Sequence, residues 1–509
     1  MIENIDIRNL YLGRTKAESE RLHLNNYFVS TNAYRNAKEE RKRKLFYIAH
    51  RGSGKSALFN QLSFELSSKK NNIIVQISPS EYSYETFTNL KHSFYDVKAS
   101  YSLAWEYTLI VQLFLEVSKY FKANPNVKRN RENIKIIDDF LLRNKFIESQ
   151  TRLELFLDFL SRIDLTKLNI EYKGFKVSGD AKTNAAKKLV SLYNLDEIRK
   201  PLGALEQITF QHPIYIFIDE LDTGWNNTKE AKNFISGLIT GSIRINNLSG
   251  IKVFLSLRQD MYNNLSSAFD DTEKIRDEIE FLEWDKDLLI AIICNRIKDN
   301  PEVRNNFEHL NYASHNEILG VLFEENTFDY LLSGTLNRPR EVIHYCNLSI
   351  AEFSKSYLSK KLFGKKINNE IIDIVSKHFS RDRYYDFCAE FNHEYPEIKS
   401  FLDNFEGADR EYTKDLFLDK LEECILYFDE KHIDLDWTHE YFDNTNKLLI
   451  RLFEIGFIKI SITDSNSFFA YFEKQPQNFN NVKFVQINKV FANVLDCQEK
   501  NVSNVIDEK

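Results

Sequence analysis

The run from Leu45 to Leu58, Leu-Phe-Tyr-Ile-Ala-His-Arg-Gly-Ser-Gly-Lys-Ser-Ala-Leu, constrains this chain more than any other stretch. An apolar segment leads into a glycine-bearing turn, and Lys-Ser then opens a segment with Leu58, Phe59 and Leu62 at helical spacing. The pattern predicts strand, loop and helix. In such a loop successive backbone N–H groups and a helix N-terminus converge on one point and hold a phosphate without leaving donors unpaired. Gly52, Ser53, Gly54, Lys55, Ser56 and Ala57 would line it. Lys55 would neutralise β- and γ-phosphate oxygens, and the Ser56 hydroxyl would ligate Mg2+. The full motif has a glycine where this chain carries Ala49, so the loop departs from the pattern at its entry.

A second motif follows at Pro213-Ile-Tyr-Ile-Phe-Ile-Asp-Glu-Leu-Asp222. A continuous apolar run of this kind is a strand buried on both faces, as in a parallel sheet. Its polar end falls where open α/β sheets receive ligands. Asp219 would serve the Mg2+ shell, and Glu220 would polarise an attacking water. Gly250-Ile-Lys-Val-Phe-Leu-Ser-Leu-Arg-Gln-Asp260 repeats the design, so Ser256 or Arg258 would reach the γ-phosphate or the water. Pairing of Arg258 with Asp260 or Asp222 is the competing structural reading. Ala231 to Arg244 between these strands reads as a helix, which gives the rhythm of a parallel sheet.

The remaining chain is organised around this core. Residues 1–44 are a mixed-charge N-terminal helical segment ending in Glu39-Glu-Arg-Lys-Arg-Lys44. The core spans 45–284, with Asn72 to Ile77 as a second strand and Ile279 to Trp284 as a fifth. A helical insertion occupies about 79–212, with helices expected at Trp105 to Phe121, Ile134 to Leu142 and Leu153 to Ile163, and a hairpin around Lys173-Gly174. Trp105 is expected in the core. Arg276, just before the fifth strand, would reach a neighbouring subunit's nucleotide or lie on the surface. Residues 285–360 read as a helical lid with a helix from Glu325 to Leu332; Pro339 fits a first helical turn, and Arg340 would close over the phosphates or form a structural salt bridge. In 361–509, Asn446 to Phe453, Gly456 to Ile460, a polar turn from Thr463 through Ser467, Phe468 to Phe472 and Val482 to Ile487 follow, and helix, strand, turn, strand is the order of a winged helix. Its helix offers Lys447 and Arg451 beneath an acidic approach, which favours a protein contact or an intramolecular role over DNA.

Composition excludes several classes. A net charge of −7 argues against wholesale coating of nucleic acid. No run is long and apolar enough to span a bilayer and no signal-peptide pattern opens the chain, so no membrane partner and a cytoplasmic location are expected. The five cysteines are dispersed, which predicts buried, reduced thiols. His50, His212 and His344 are isolated and read as structural.

With Gly52 to Ser56, Ile214 to Glu220, Ser256 to Asp260, Trp284-Asp285 and Asn337-Arg-Pro-Arg340 in order, the chain resembles bacterial P-loop ATPases of the AAA+/STAND type. It is similar to origin-recognition-like ATPases with a lid and a C-terminal winged helix, and to a bacterial group in which Leu-Gly-Arg precedes the phosphate loop, as Leu12-Gly13-Arg14 does here. The implied fold is α/β: a parallel-sheet P-loop NTPase core with a long helical insertion, a helical lid and a winged-helix-like C-terminal domain. The implied function is a Mg-dependent ATPase acting as a conformational switch in a protein or nucleic-acid complex; some relatives act in anti-phage defence. The implied partners are ATP, a protein partner or effector chain, DNA and a second copy of the chain. The alternative is a nucleotide-gated DNA-binding or adaptor protein with little hydrolysis.

Overall fold

A computed structural model describes residues 6–20, 23–78, 97–125, 130–146, 195–222, 225, 228–266, 275–306, 312–358, 365–431, 436–441, 444–463, 467–473, 476 and 478–499. The expected helix at Leu153 to Ile163 and the hairpin around Lys173-Gly174 lie outside them. The chain divides into two compact units: 32–50 with 55–282, and 1–31 with 51–54 and 283–509.

The first unit is built on a five-stranded parallel sheet in the order β2-β3-β4-β1-β5. Its strands are β1 (Phe46–Ala49), β2 (Ile73–Ile77), β3 (Ile214–Ile218), β4 (Ile251–Arg258) and β5 (Ile279–Phe281). β1 is buried at every residue and β4 at all but Lys252, which explains their unbroken apolar sequences. Helix α1 (Lys55–Ser67) lays Phe59 against Tyr47 and Phe217, with ring centroids 5.5 Å apart in both pairs, while Phe217 stacks on Phe254 at 4.8 Å.

Helices α2 (Val97–Ala123), α3 (Arg131–Arg143), α4 (Leu195–Thr209) and α5 (Lys229–Asn246) join the hydrophobic cluster that includes Ile216, Ile218, Val253 and Leu255. Trp105 of α2 is fully buried against Phe234 of α5, and its indole donates to the Phe234 carbonyl at 3.1 Å, so it is a core residue as expected. Gly237 and Gly241 let α5 approach closely. A Cβ at Gly237 would stand 2.7 Å from Tyr101 Cβ, and one at Gly241 would stand 3.2 Å from Trp105 Cβ.

The second unit is mainly helical. Its cluster runs through α6 (Lys286–Asp299), α7 (His315–Leu322), α8 (Thr327–Ser333), α9 (Pro339–Leu358) and α10 (Asn369–Phe391). α8 begins after the left-handed Asn326, later than the expected Glu325, because that backbone cannot continue a helix. Ile7, Leu10 and Leu12 enter the same core. The expected N-terminal helical segment holds, in its described part, short α-helices at Leu24–Tyr27 and Asn32–Lys38 and single helical turns, with residues 7–14 forming a pinned strap. Asn347 Oδ1 accepts from Leu12 N at 2.9 Å, and Asn347 Nδ2 donates to the Gly13 carbonyl at 3.0 Å. Arg296 donates to the Leu12 carbonyl, pairs with Glu20 at 3.1 Å and lies over the Tyr27 ring. Gly13 has a φ of +82°, and a Cβ there would meet Arg296 Nη1 at 2.6 Å, which explains the glycine.

An antiparallel sheet in the order β6-β8-β7 completes this unit, from β6 (Glu411–Thr413), β7 (Ile458–Ser461) and β8 (Phe484–Ile487). Helices α11 (Lys414–Glu430) and α12 (Thr445–Glu454) join the same core. The strand expected at Phe468 to Phe472 is reduced to one bridge between Phe469 and Ile460. Glu473 curls the chain there, its carboxylate accepting from Ala470 N at 2.7 Å. Cys294, Cys346, Cys388 and Cys424 are buried free thiols as expected, whereas Cys497 is half-buried.

Candidate functional site

In the parallel-sheet unit, three adjacent strands, β3, β4 and β1, end along one edge. The register sets Ile218 beside Leu255 and Ala49 beside Arg258, so Asp219, Ser256, Arg258 and the start of α1 share the carboxyl edge. Lys55 Nζ donates to the Ala49 carbonyl at 3.0 Å and the His50 carbonyl at 3.3 Å. Burial lowers the Lys55 pKa, and Asp222 and Asp219 oppose that shift. Ser56 and Ala57 occupy the first turn of α1, whose leading N–H groups have no partner within the helix.

The Ser256 hydroxyl donates to Asp219 Oδ1. A carboxylate that spends one lone pair on a hydroxyl keeps others for a cation. Glu220 is exposed, with a φ of +62°, a left-handed conformation uncommon outside glycine. The Ser78 hydroxyl, at the end of β2, donates to Glu220 Oε2. Arg258 is buried and gripped in a bidentate pair by Asp260 at 2.9 and 2.8 Å, with Asp222 at 3.9 Å. The structural pairing anticipated for Arg258 is thus present. Arg276 is exposed and precedes β5, whose first residue pairs with the first residue of β1, so it lies at the amino edge of the sheet, away from this cluster.

The loop residues Arg51, Gly52, Ser53 and Gly54 belong to the second unit, together with Trp284, Arg338 and Arg340. Gly52 and Gly54 have φ of +82° and +88°, and Ser53 between them is buried. The Trp284 indole N–H donates to the Ser53 carbonyl at 2.8 Å. Arg340 N donates to the Gly52 carbonyl, and Arg338 Nη1 to the Arg51 carbonyl, both at 3.4 Å. A Cβ at Gly52 would stand 3.3 Å from Arg340 Cβ. Arg338 is buried, 2.9 Å from Glu390 and 3.8 Å from Glu341. Burial opposes its charge, yet these carboxylates hold its pKa above the usual arginine value.

Sequence reasoning singled out neither Ser78 nor the loop contacts of Trp284 and Arg338. Ser78 carried one signal, as the polar residue ending a strand. The Trp284 contact joins residues 231 positions apart and left no local signal. In the winged-helix candidate, Asn446 and Lys447 are exposed on α12, and Arg451 pairs with Glu454 at 2.7 Å. Among the described residues no cluster of three His, Cys, Asp or Glu side chains could hold a metal, and no helix is long and apolar enough to cross a membrane.

Comparison with known proteins gives two results. Residues 287–388 match the family described as FunZ-associated C-terminal helical domain, a span from α6 into α10. Across 473 residues, 91% of its length, the chain is 22% identical to the "Putative transposon gamma-delta 80.3 kDa protein" of Escherichia coli (strain K12). It spans 64% of that protein's length.

Proposed function

We propose that this chain is a Mg-dependent P-loop ATPase whose nucleotide state sets the conformation of a protein or nucleic-acid assembly. The carrying observation is the meeting of Lys55, Asp219 and Ser256 at the carboxyl edge of three adjacent parallel strands. The left-handed glycines of the preceding loop and the resemblance to AAA+/STAND ATPases support the same reading.

Lys55 holds the β- and γ-phosphate oxygens of ATP, an interaction that offsets the burial of its ammonium. The donor set fits Mg2+, which takes one or two protein ligands and completes its shell from phosphate and water. Ser56 and Asp219 would be those ligands, and the bound ion would supply charge neutralisation for the transferring phosphoryl group. Glu220 takes the proton of the attacking water, while Ser256 keeps Asp219 oriented. Arg258 and Arg340 stabilise charge developing on the phosphoryl oxygens, Arg258 after exchanging part of its grip on Asp260. Arg276 acts on the nucleotide of a second copy.

The segment from α12 to β8 is read as a winged-helix-like module that carries the switch to a partner. The transposon in the relative's name makes DNA and mobile-element proteins the first partners to test. A nucleotide-gated adaptor with slow hydrolysis is the second reading, favoured by the Ser78 hydroxyl on Glu220, since that hydrogen bond occupies a carboxylate oxygen that would otherwise face an attacking water. Anti-phage defence remains a proposed setting by resemblance.

Steady-state hydrolysis by the wild type and Glu220→Gln, with and without double-stranded DNA over a salt series, tests this function. The ATPase reading expects Glu220→Gln to keep binding ATP while turnover falls at least 100-fold, on the order of a general base's contribution. Equal turnover in the two proteins removes Glu220 from the mechanism. Stimulation by DNA that fades with salt implicates phosphate contacts.

A further inference from the structure

Three consecutive peptide carbonyls of the loop, those of Arg51, Gly52 and Ser53, are each held by a donor from elsewhere in the same unit. The donors are Arg338 Nη1 at 3.4 Å, Arg340 N at 3.4 Å and Trp284 Nε1 at 2.8 Å. Across a planar trans peptide the carbonyl of one residue and the N–H of the next point in opposite directions. Each carbonyl so held turns the N–H of the following residue, Gly52, Ser53 or Gly54, away from its donor. Positive φ at Gly52 and Gly54, alternating with Ser53, is the backbone alternation that makes successive N–H groups converge on an anion.

Resting on the nucleotide reading above, we infer that Trp284 is a positioning residue for phosphate binding. Its indole N–H fixes the Ser53–Gly54 peptide plane so that Gly54 N–H faces the polyphosphate, with Arg338 and the first turn of α9 fixing the two preceding planes. The loop's affinity for phosphate is thereby set in part by the helical C-terminal unit. Trp284 has the shortest of the three bonds, and its ring also stands against Gly54, with Cζ2 at 3.7 Å from a Cβ built there. Arg338 is fixed in turn by Glu390 and Glu341, so movement of α10, which carries Glu390, reaches the loop through one side chain.

Full-length protein provides its own control. Trp437 makes the same type of bond, its indole N–H donating to the Pro396 carbonyl at 2.8 Å, in the same unit and away from the loop. Trp284→Phe and Trp437→Phe each remove one indole N–H and keep an aromatic ring. Titration with Mg-ADP, alongside melting temperatures, should show Trp284→Phe binding about tenfold more weakly, the equivalent of about 1.4 kcal/mol for one hydrogen bond's orientation. Trp437→Phe should bind as the wild type does, with a comparable loss of thermal stability. Unchanged ADP affinity in Trp284→Phe, or equal weakening in both variants, overturns the inference.

Should Trp284→Phe not fold, hydrogen exchange on the wild type decides. The inference expects ADP to slow exchange at 51–54, 283–285 and 338–341 together; protection of the loop alone contradicts it. A wild type that binds no ADP fails at the nucleotide reading itself, an outcome distinct from either.

Discussion

At the scale of single residues, Lys55 carries the most chemistry. Its ammonium is disfavoured by burial and supported by Asp222 and Asp219. Its pKa in the free protein therefore lies below that of an ordinary lysine, and on the proposed nucleotide reading polyphosphate beside it would raise that pKa. The sign follows: as pH rises through the depressed pKa the free protein loses a proton that the complex keeps. Nucleotide binding should then take up a proton on the alkaline side and weaken with rising pH before an ordinary lysine titrates. Calorimetry in buffers of different ionisation enthalpy measures that uptake, and its absence throughout the alkaline range contradicts the environment assigned to Lys55. Arg338 offers a stability test. Replacing it with Met leaves buried Glu390 without the cation 2.9 Å from it, while Glu341 keeps Arg383 at 3.8 Å, and should cost about 3–5 kcal/mol in chemical denaturation. A loss below about 1 kcal/mol would mean that the carboxylates find other partners.

Elements divide by how much of their reason is local. β1, β3 and β4 were legible because a strand buried on both faces must be apolar throughout, and because each leads into the polar residues that bear chemistry. α5 was legible from its periodicity, but its closeness to α2 was not, since Gly237 and Gly241 matter only through Tyr101 and Trp105 on a distant segment. Gly237→Ala should therefore destabilise the protein by about 1–3 kcal/mol through overpacking, despite the better helix propensity of alanine. A neutral or higher melting temperature would show that the seam can open. The aromatic run at Phe468 to Phe472 misled for the converse reason: strand propensity was present, but Glu473 captures Ala470 N and closes a turn. β6 escaped notice because three residues show no period.

For the whole molecule, the sequence order of core, lid and C-terminal domain conceals a division that contacts reveal. The strap containing Leu12 and the loop from Arg51 to Gly54 both belong with the C-terminal unit. Candidate-site residues near in sequence were legible as motifs; the partners of their backbone carbonyls were not, because Trp284, Arg338 and Arg340 meet the loop only through the fold. On the proposed nucleotide reading, a loop whose carbonyls are held by a helical unit would provide a physical route for nucleotide occupancy and that unit's conformation to bias one another, as linkage requires. The match of residues 287–388 to a named C-terminal helical domain falls on the segment that supplies Arg338 and Arg340.

The most direct test of the central claim is calorimetric titration of the full-length protein with Mg-ATP, beside Lys55→Ala checked for an unchanged melting temperature. A nucleotide site at this loop requires saturable binding by the wild type and a loss of affinity of at least about tenfold in Lys55→Ala, or about 1.4 kcal/mol. Equal affinity in the two proteins, or no binding by the wild type, would contradict the assignment of the loop as a nucleotide site.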